Sequence, residues 1–105
     1  MKKLRVLLVC GSGASSGFMA ANIRKAATAR GVEITVNARS ESEVENYVDD
    51  IDCLMVGPHL AILMDDMQSI CEGRSIKVAL MKPEYYAHLD GGKALDHILS
   101  LFAES

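Results

Sequence analysis

A chain of 105 residues has room for one domain, residues 1–105, with a single core of its own. Half of the residues are hydrophobic, about a quarter are charged and the formal net charge is −3, which leaves no basic footprint for nucleic acid and no stretch long enough for a membrane span. The three cysteines, Cys10, Cys53 and Cys71, have no metal-ligand spacing, and their odd number argues against a secreted disulfide scaffold. The basic start Met1-Lys2-Lys3 leads into an apolar run too short for a secretory signal, so the chain reads as cytoplasmic.

The run over 4–9, Leu-Arg-Val-Leu-Leu-Val, lacks polar alternation apart from Arg5, as in a strand covered on both faces. A small-residue stretch follows Cys10, and from Ser16 to about Arg30 the spacing of Met19, Ile23, Ala26 and Ala27 predicts a helix ended by Gly31. Residues 33–38 alternate as a more exposed strand. Ser40 and Glu43 form a capping box opening a short helix with Val44, Tyr47 and Val48 inside. A third strand is predicted over 51–56, ended by Gly57-Pro58. The face Leu60, Leu63, Met64, Met67, Ile70 and Cys71 then predicts one continuous helix stopped by Gly73. Residues 76–80 make a fourth strand. A connection through 83–92 reaches a last helix with Leu95, Ile98, Leu99 and Phe102 inside.

This alternation implies an α/β fold, a single open four-stranded parallel sheet with helices on both faces. Ligands of such sheets bind beyond the carboxyl ends of the strands. The loops 10–17, 57–60 and 81–91 should gather there.

Cys10 stands between a buried strand and a helix N-terminus, where unpaired backbone N–H groups hold anions and favour a thiolate. The loop after it, Gly11-Ser12-Gly13-Ala14-Ser15-Ser16-Gly17, lacks the lysine of a nucleotide P-loop. Its glycines miss a dinucleotide spacing by one residue. A cysteine phosphatase would need an arginine where Ser16 stands, and neither Lys nor Arg occurs from 6 to 23. Phosphate would be held by backbone amides, serine hydroxyls and the helix dipole, which suits a carrier more than a hydrolase. A phosphatase-like hydrolase and a thiol redox-sensing module are the alternatives.

Three features together resemble the enzyme IIB component of the bacterial phosphoenolpyruvate-dependent sugar phosphotransferase system, lactose/cellobiose class. They are the strand–Cys10–small-residue-loop–helix unit, Gly57-Pro58-His59 after the third strand, and Tyr86 with Asp90-Gly91 after the fourth. The likeness covers essentially the whole chain. It implies an architecture like that of low-molecular-weight tyrosine phosphatases and a phosphocysteine on Cys10. The donor would be a IIA protein carrying phosphohistidine. The acceptor would be a sugar, such as cellobiose, chitobiose or lactose, held by a membrane IIC component. No cofactor or metal is implied, and a carrier docking with two partners in turn is expected to be monomeric when free.

The remaining chemistry-bearing residues have plainer expectations. Cys53 and Cys71 read as inert core thiols, His59 as a rim residue of the site, and His88 and His97 as solvent-facing. The acidic stretch from Glu41 to Asp52 reads as a solvated face. Tyr86 and Asp90 are candidates to close the phosphate loop, with a plain Asp90-Gly91 turn as the equal alternative.

Overall fold

In the computed structural model, four strands pair in parallel: β1 (Leu4–Val9), β2 (Ile34–Arg39), β3 (Cys53–Val56) and β4 (Lys77–Leu80). The structure describes the backbone of residues 3–9 and 13–102, and the side chains of 3–9 and 17–102. The strand order is β2-β1-β3-β4, so β1 and β3 are central. Their apolar runs are buried because both faces of the sheet are covered: Val6, Leu7, Leu8 and Val9 are each at most 1% exposed.

Successive residues of β1 serve different cores. Val6 and Leu8 join Met19, Ile23 and Ala27 of α1 (Gly13–Arg30) and Leu95 and Ile98 of α4 (Gly91–Phe102). Leu7 and Val9 turn the other way, onto Val44, Val48 and Met67. The strand period of two thus divides one apolar run between two layers.

Helix α1 begins at Gly13, three residues before the predicted start. It ends as the glycine signal requires: Gly31 has φ +70°, its N–H donates to Thr28 O, and the Val32 N–H reaches back to Ala27 O at 2.9 Å. The Ser40 box holds, with the Glu43 carboxylate accepting from the Ser40 N–H at 3.3 Å, but it opens a 3-10 turn, Glu41–Asn46, rather than an α-helix.

The predicted continuous helix after β3 is divided. Pro58 opens a 3-10 segment, Pro58–Leu63, in which Leu60 leaves helical geometry (φ −109°, ψ 26°), and α2 runs only from Met64 to Ile70. Leu60, Leu63, Met64 and Met67 still pack on one core, so the apolar pattern survives the break. The connection after β4 contains a further short helix, α3 (Pro83–Tyr86).

Helix α1, whose Arg30 pairs with Asp96 of α4, differs in charge from the layer across the sheet. Helix α1 carries Arg24, Lys25 and Arg30 and no acidic residue, all three exposed. On the opposite side stand Glu41, Glu45, Asp49, Asp50, Asp65, Asp66 and Glu72, also exposed. Among the described residues no helix is long and apolar enough to cross a membrane.

Candidate functional site at the carboxyl edge of the sheet

At the carboxyl edge, two loops begin by continuing the sheet ladder. The Gly57 N–H donates to Val9 O at 2.8 Å, and the Met81 N–H donates to Val56 O at 2.7 Å. The segments after β3 and β4 are thereby tied to the strand ends beside them. Pro58 then starts its turn without needing a donor, and the break at Leu60 leaves His59 exposed. The His59 ring lies 5.9 Å from that of Tyr86, tilted by 46°, so the loops from β3 and β4 meet through these two rings.

Cys10, Gly11 and Ser12 lie outside the described residues. Gly13, Ala14, Ser15 and Ser16 form the opening of α1, their side chains also outside the described set, and Gly17 is exposed in the next turn. In chain terms, Cys10 follows the buried end of β1 and precedes the N-terminus of an 18-residue helix. Unpaired N–H groups and the helix dipole favour anions at such a terminus.

Asp90 is engaged elsewhere. Its carboxylate accepts the Lys93 N–H at 3.1 Å, which caps α4, and its own N–H donates to Tyr85 O. The adjoining Gly91 is buried against the backbone of Asn22 and Ile23, nine residues into α1. Leu89 takes a left-handed φ of +52°, and its carbonyl accepts the Asn22 amide at 2.8 Å. The structure therefore brings His59 and Tyr86 together and gives Asp90 the job of heading α4.

His97 departs from its expected solvent-facing position. It is half-buried, with Nδ1 2.6 Å from the hydroxyl of buried Tyr85. Burial, aided by nearby Lys82, holds the imidazole below its usual pKa, so a neutral ring accepts from the phenol. Burial also pushes the Tyr85 phenol up to about 12. The short helix α3, which supplies Tyr85, has only four residues and no periodic signal in the sequence, so the sequence does not reveal the partner that buries His97.

The other two cysteines are core residues. Cys53 is 0% and Cys71 4% exposed, and desolvation pushes the Cys53 thiol up to about 12 and the Cys71 thiol upward. Neither is a competent nucleophile near neutral pH. Among the described residues no group of three or more His, Cys, Asp or Glu side chains could hold a metal.

Arg39 reaches this edge without a sequence signal. It ends β2 directly opposite Val9. Its Nε donates to the Tyr47 hydroxyl at 2.8 Å, its Nη1 to Ala38 O at 2.7 Å, and its guanidinium lies 5.4 Å from the Tyr47 ring centre. Only the register of β2 against β1 reveals this placement.

Comparison with known proteins agrees with the geometry. Residues 5–97 match the family model described as the phosphotransferase system lactose/cellobiose-specific IIB subunit. The chain is 28% identical over 101 residues to the oligo-β-mannoside-specific EIIB component of Bacillus subtilis, covering 96% of each chain. It is 24% identical over 97 residues to the lactose-specific EIICB component of Lacticaseibacillus casei, covering 90% of this chain and 17% of that protein. The solved lactose-specific IIB domain from Streptococcus pneumoniae superposes with a TM-score of 0.87 at 22% identity, covering 96% of this chain and 99% of that one. The fold is thus the phosphatase-like α/β architecture of IIB domains. The chain belongs to the lactose/cellobiose-specific IIB subunit family of the phosphotransferase system, a family of phosphotransferases.

Proposed function

We propose that Cys10 is the covalent phosphoryl carrier of this IIB subunit. It takes phosphate from a phosphohistidine on a IIA protein and passes it to a sugar held by a membrane IIC partner. The observation that carries this reading is the convergence at one edge of the buried end of β1, the N-terminus of α1, and the His59–Tyr86 pair. A thiolate is a good in-line nucleophile, and a helix N-terminus that favours the anion also favours its departure in the second transfer. Phosphoryl transfer asks mainly for positioning and charge stabilisation, which the first amides of α1 and its helix dipole supply.

The IIC partner follows from the family and from the EIICB relative, whose name joins the two components in one protein. The acceptor class is a β-linked disaccharide or oligosaccharide such as cellobiose, chitobiose or lactose. The carrier works as a free monomer at the cytoplasmic side. His59 and Tyr86 form the rim that partners approach.

Incubation with phosphorylated IIA protein should add one phosphate per chain. Cys10→Ser should abolish it, while Cys53→Ser and Cys71→Ser retain it. Phosphate retained on Cys10→Ser would overturn the assignment.

A further inference from the structure

We propose that the depression between α3 and α4 is a binding site for a small phosphorylated sugar. Its volume of about 560 Å³ lies in the range of small-molecule sites and leaves room for a hexose carrying one phosphate. Two ammonium groups line it, Lys82 from the cap position of α3 and Lys93 from the first turn of α4. Lys93, His97 and Ser100 follow one another at intervals of four and three on α4. They therefore share one face of the helix and span about 10 Å along it.

The middle of this face is fixed from beneath. His97 accepts the Tyr85 hydroxyl on Nδ1 at 2.6 Å, so its neutral ring carries a proton on Nε2 and has a donor there. The buried Tyr85 ring meets it edge-on, with centres 5.8 Å apart, and holds its orientation. Lys82 stands near enough to help hold the His97 pKa down, which places the ammonium and the imidazole around one space. An anion entering that space meets both groups and relieves the repulsion that opposes the imidazolium.

The charge balance of the lining selects the ligand class. Asp96 also lines the depression, but Arg30 of α1 pairs with it, which leaves the two lysines against Glu84 alone. That excess suits a phosphate monoester, whose three terminal oxygens match Lys82, Lys93 and the His97 N–H. The Glu84 carboxylate and the Ser100 oxygen, whose own proton goes to His97 O, are acceptors for sugar hydroxyls. Bare phosphate leaves those acceptors unused. The site uses no residue of the Cys10 segment and does not depend on the carrier reading; under that reading a sugar phosphate is the product released.

Titration with glucose 6-phosphate, followed by the ring resonances of His97, tests the site. Saturable shifts are expected, and the bound imidazole should titrate about half a pH unit or more above the free one. Lys82→Gln and Lys93→Gln should each weaken binding about threefold to tenfold, and both lysines are exposed, so these variants keep the fold. Lys25→Gln, exposed on α1, changes net charge equally and should leave the affinity unaltered. Inorganic phosphate and glucose should each bind about threefold or more weakly than the sugar phosphate. No shift at His97, equal binding of phosphate or glucose, or unaltered affinity in both lysine variants overturns the proposal. Cys10→Ser should retain the shifts; their loss would move the anion to the Cys10 segment and overturn this site. Retained shifts in a protein whose Cys10 takes no phosphate from IIA would leave this site standing while the carrier reading fails.

Discussion

Gly91 and Gly92 are adjacent glycines in the first turn of α4, and an alanine should be ruinous at one and harmless at the other. A Cβ on Gly91 would lie 2.3 Å from the carbonyl carbon and oxygen of Asn22 and 2.7 Å from the Ile23 nitrogen. These are backbone atoms in the middle of α1, about 1 Å inside ordinary contact, so relief requires moving one helix off the other. That separation would loosen the core formed by Met19, Ile23, Leu95 and Ile98. Overpacking of this kind costs about 1–3 kcal/mol, and the intrinsic helix preference of alanine returns at most about 1 kcal/mol. Gly91→Ala should therefore destabilise by about 2 kcal/mol, lowering the urea midpoint by about 1–2 M. At Gly92 the nearest atom is the Arg30 Nη2 at 3.4 Å, the mobile end of a side chain, followed by Asp90 Oδ1 at 3.5 Å. Gly92→Ala should be neutral or stabilise by about 0.4–1 kcal/mol. Urea unfolding followed by far-ultraviolet circular dichroism reads both. Equal midpoints, or a lower one for Gly92→Ala, would refute the close helix approach.

The buried His97–Tyr85 pair should make stability depend on pH. The unfolded chain binds a proton on His97 near pH 6.5 while the folded chain resists it, so stability should fall as pH drops below about 6.5. His97→Gln should flatten that fall in urea midpoints between pH 8 and 5.5; an unaltered slope would place its source elsewhere. Iodoacetamide should label only Cys10 in the native protein and all three thiols in denaturant, since Cys53 and Cys71 are buried. Native labelling of Cys53 at a comparable rate would contradict its burial. Turnover of p-nitrophenyl phosphate should be negligible, because Ser16 stands where a phosphatase has arginine and Asp90 is engaged in capping α4. Brisk hydrolysis would favour the phosphatase reading.

The strands were legible because β1 and β3 are covered on both faces, and apolar runs of that length admit few other structures. Helix α1 announced itself by the spacing of Met19, Ile23 and Ala27 and by Gly31. Periodicity failed where it could not distinguish helix types: the face from Leu60 to Cys71 is apolar whether the chain is one helix or a 3-10 segment followed by α2. The Asp90-Gly91 pair reads as a turn in sequence. Its use of Gly91 for close helix approach depends on α1, some seventy residues earlier. His59 and Tyr86 could be placed on neighbouring loops by topology, but their ring contact could not. Arg39 was invisible for the same reason, since a strand's last residue becomes a neighbour of Val9 only once the register is known.

The opposite charges of α1 and of the layer across the sheet mean that the net charge of −3 does not describe what a partner meets on either of those surfaces. The molecule is 22 Å across in its shortest dimension, and at physiological ionic strength the Debye length is about 8 Å. Each layer is thus screened from the other and presents its own sign at short range. A protein approaching α1 encounters a cation-bearing helix, and one approaching the far side encounters an acidic wall. Collisions are sorted by orientation before any contact forms, and added salt should slow encounters on both sides where the partner's charge is opposite. An overall acidic pI of about 5.5 conceals a particle with two electrostatic personalities.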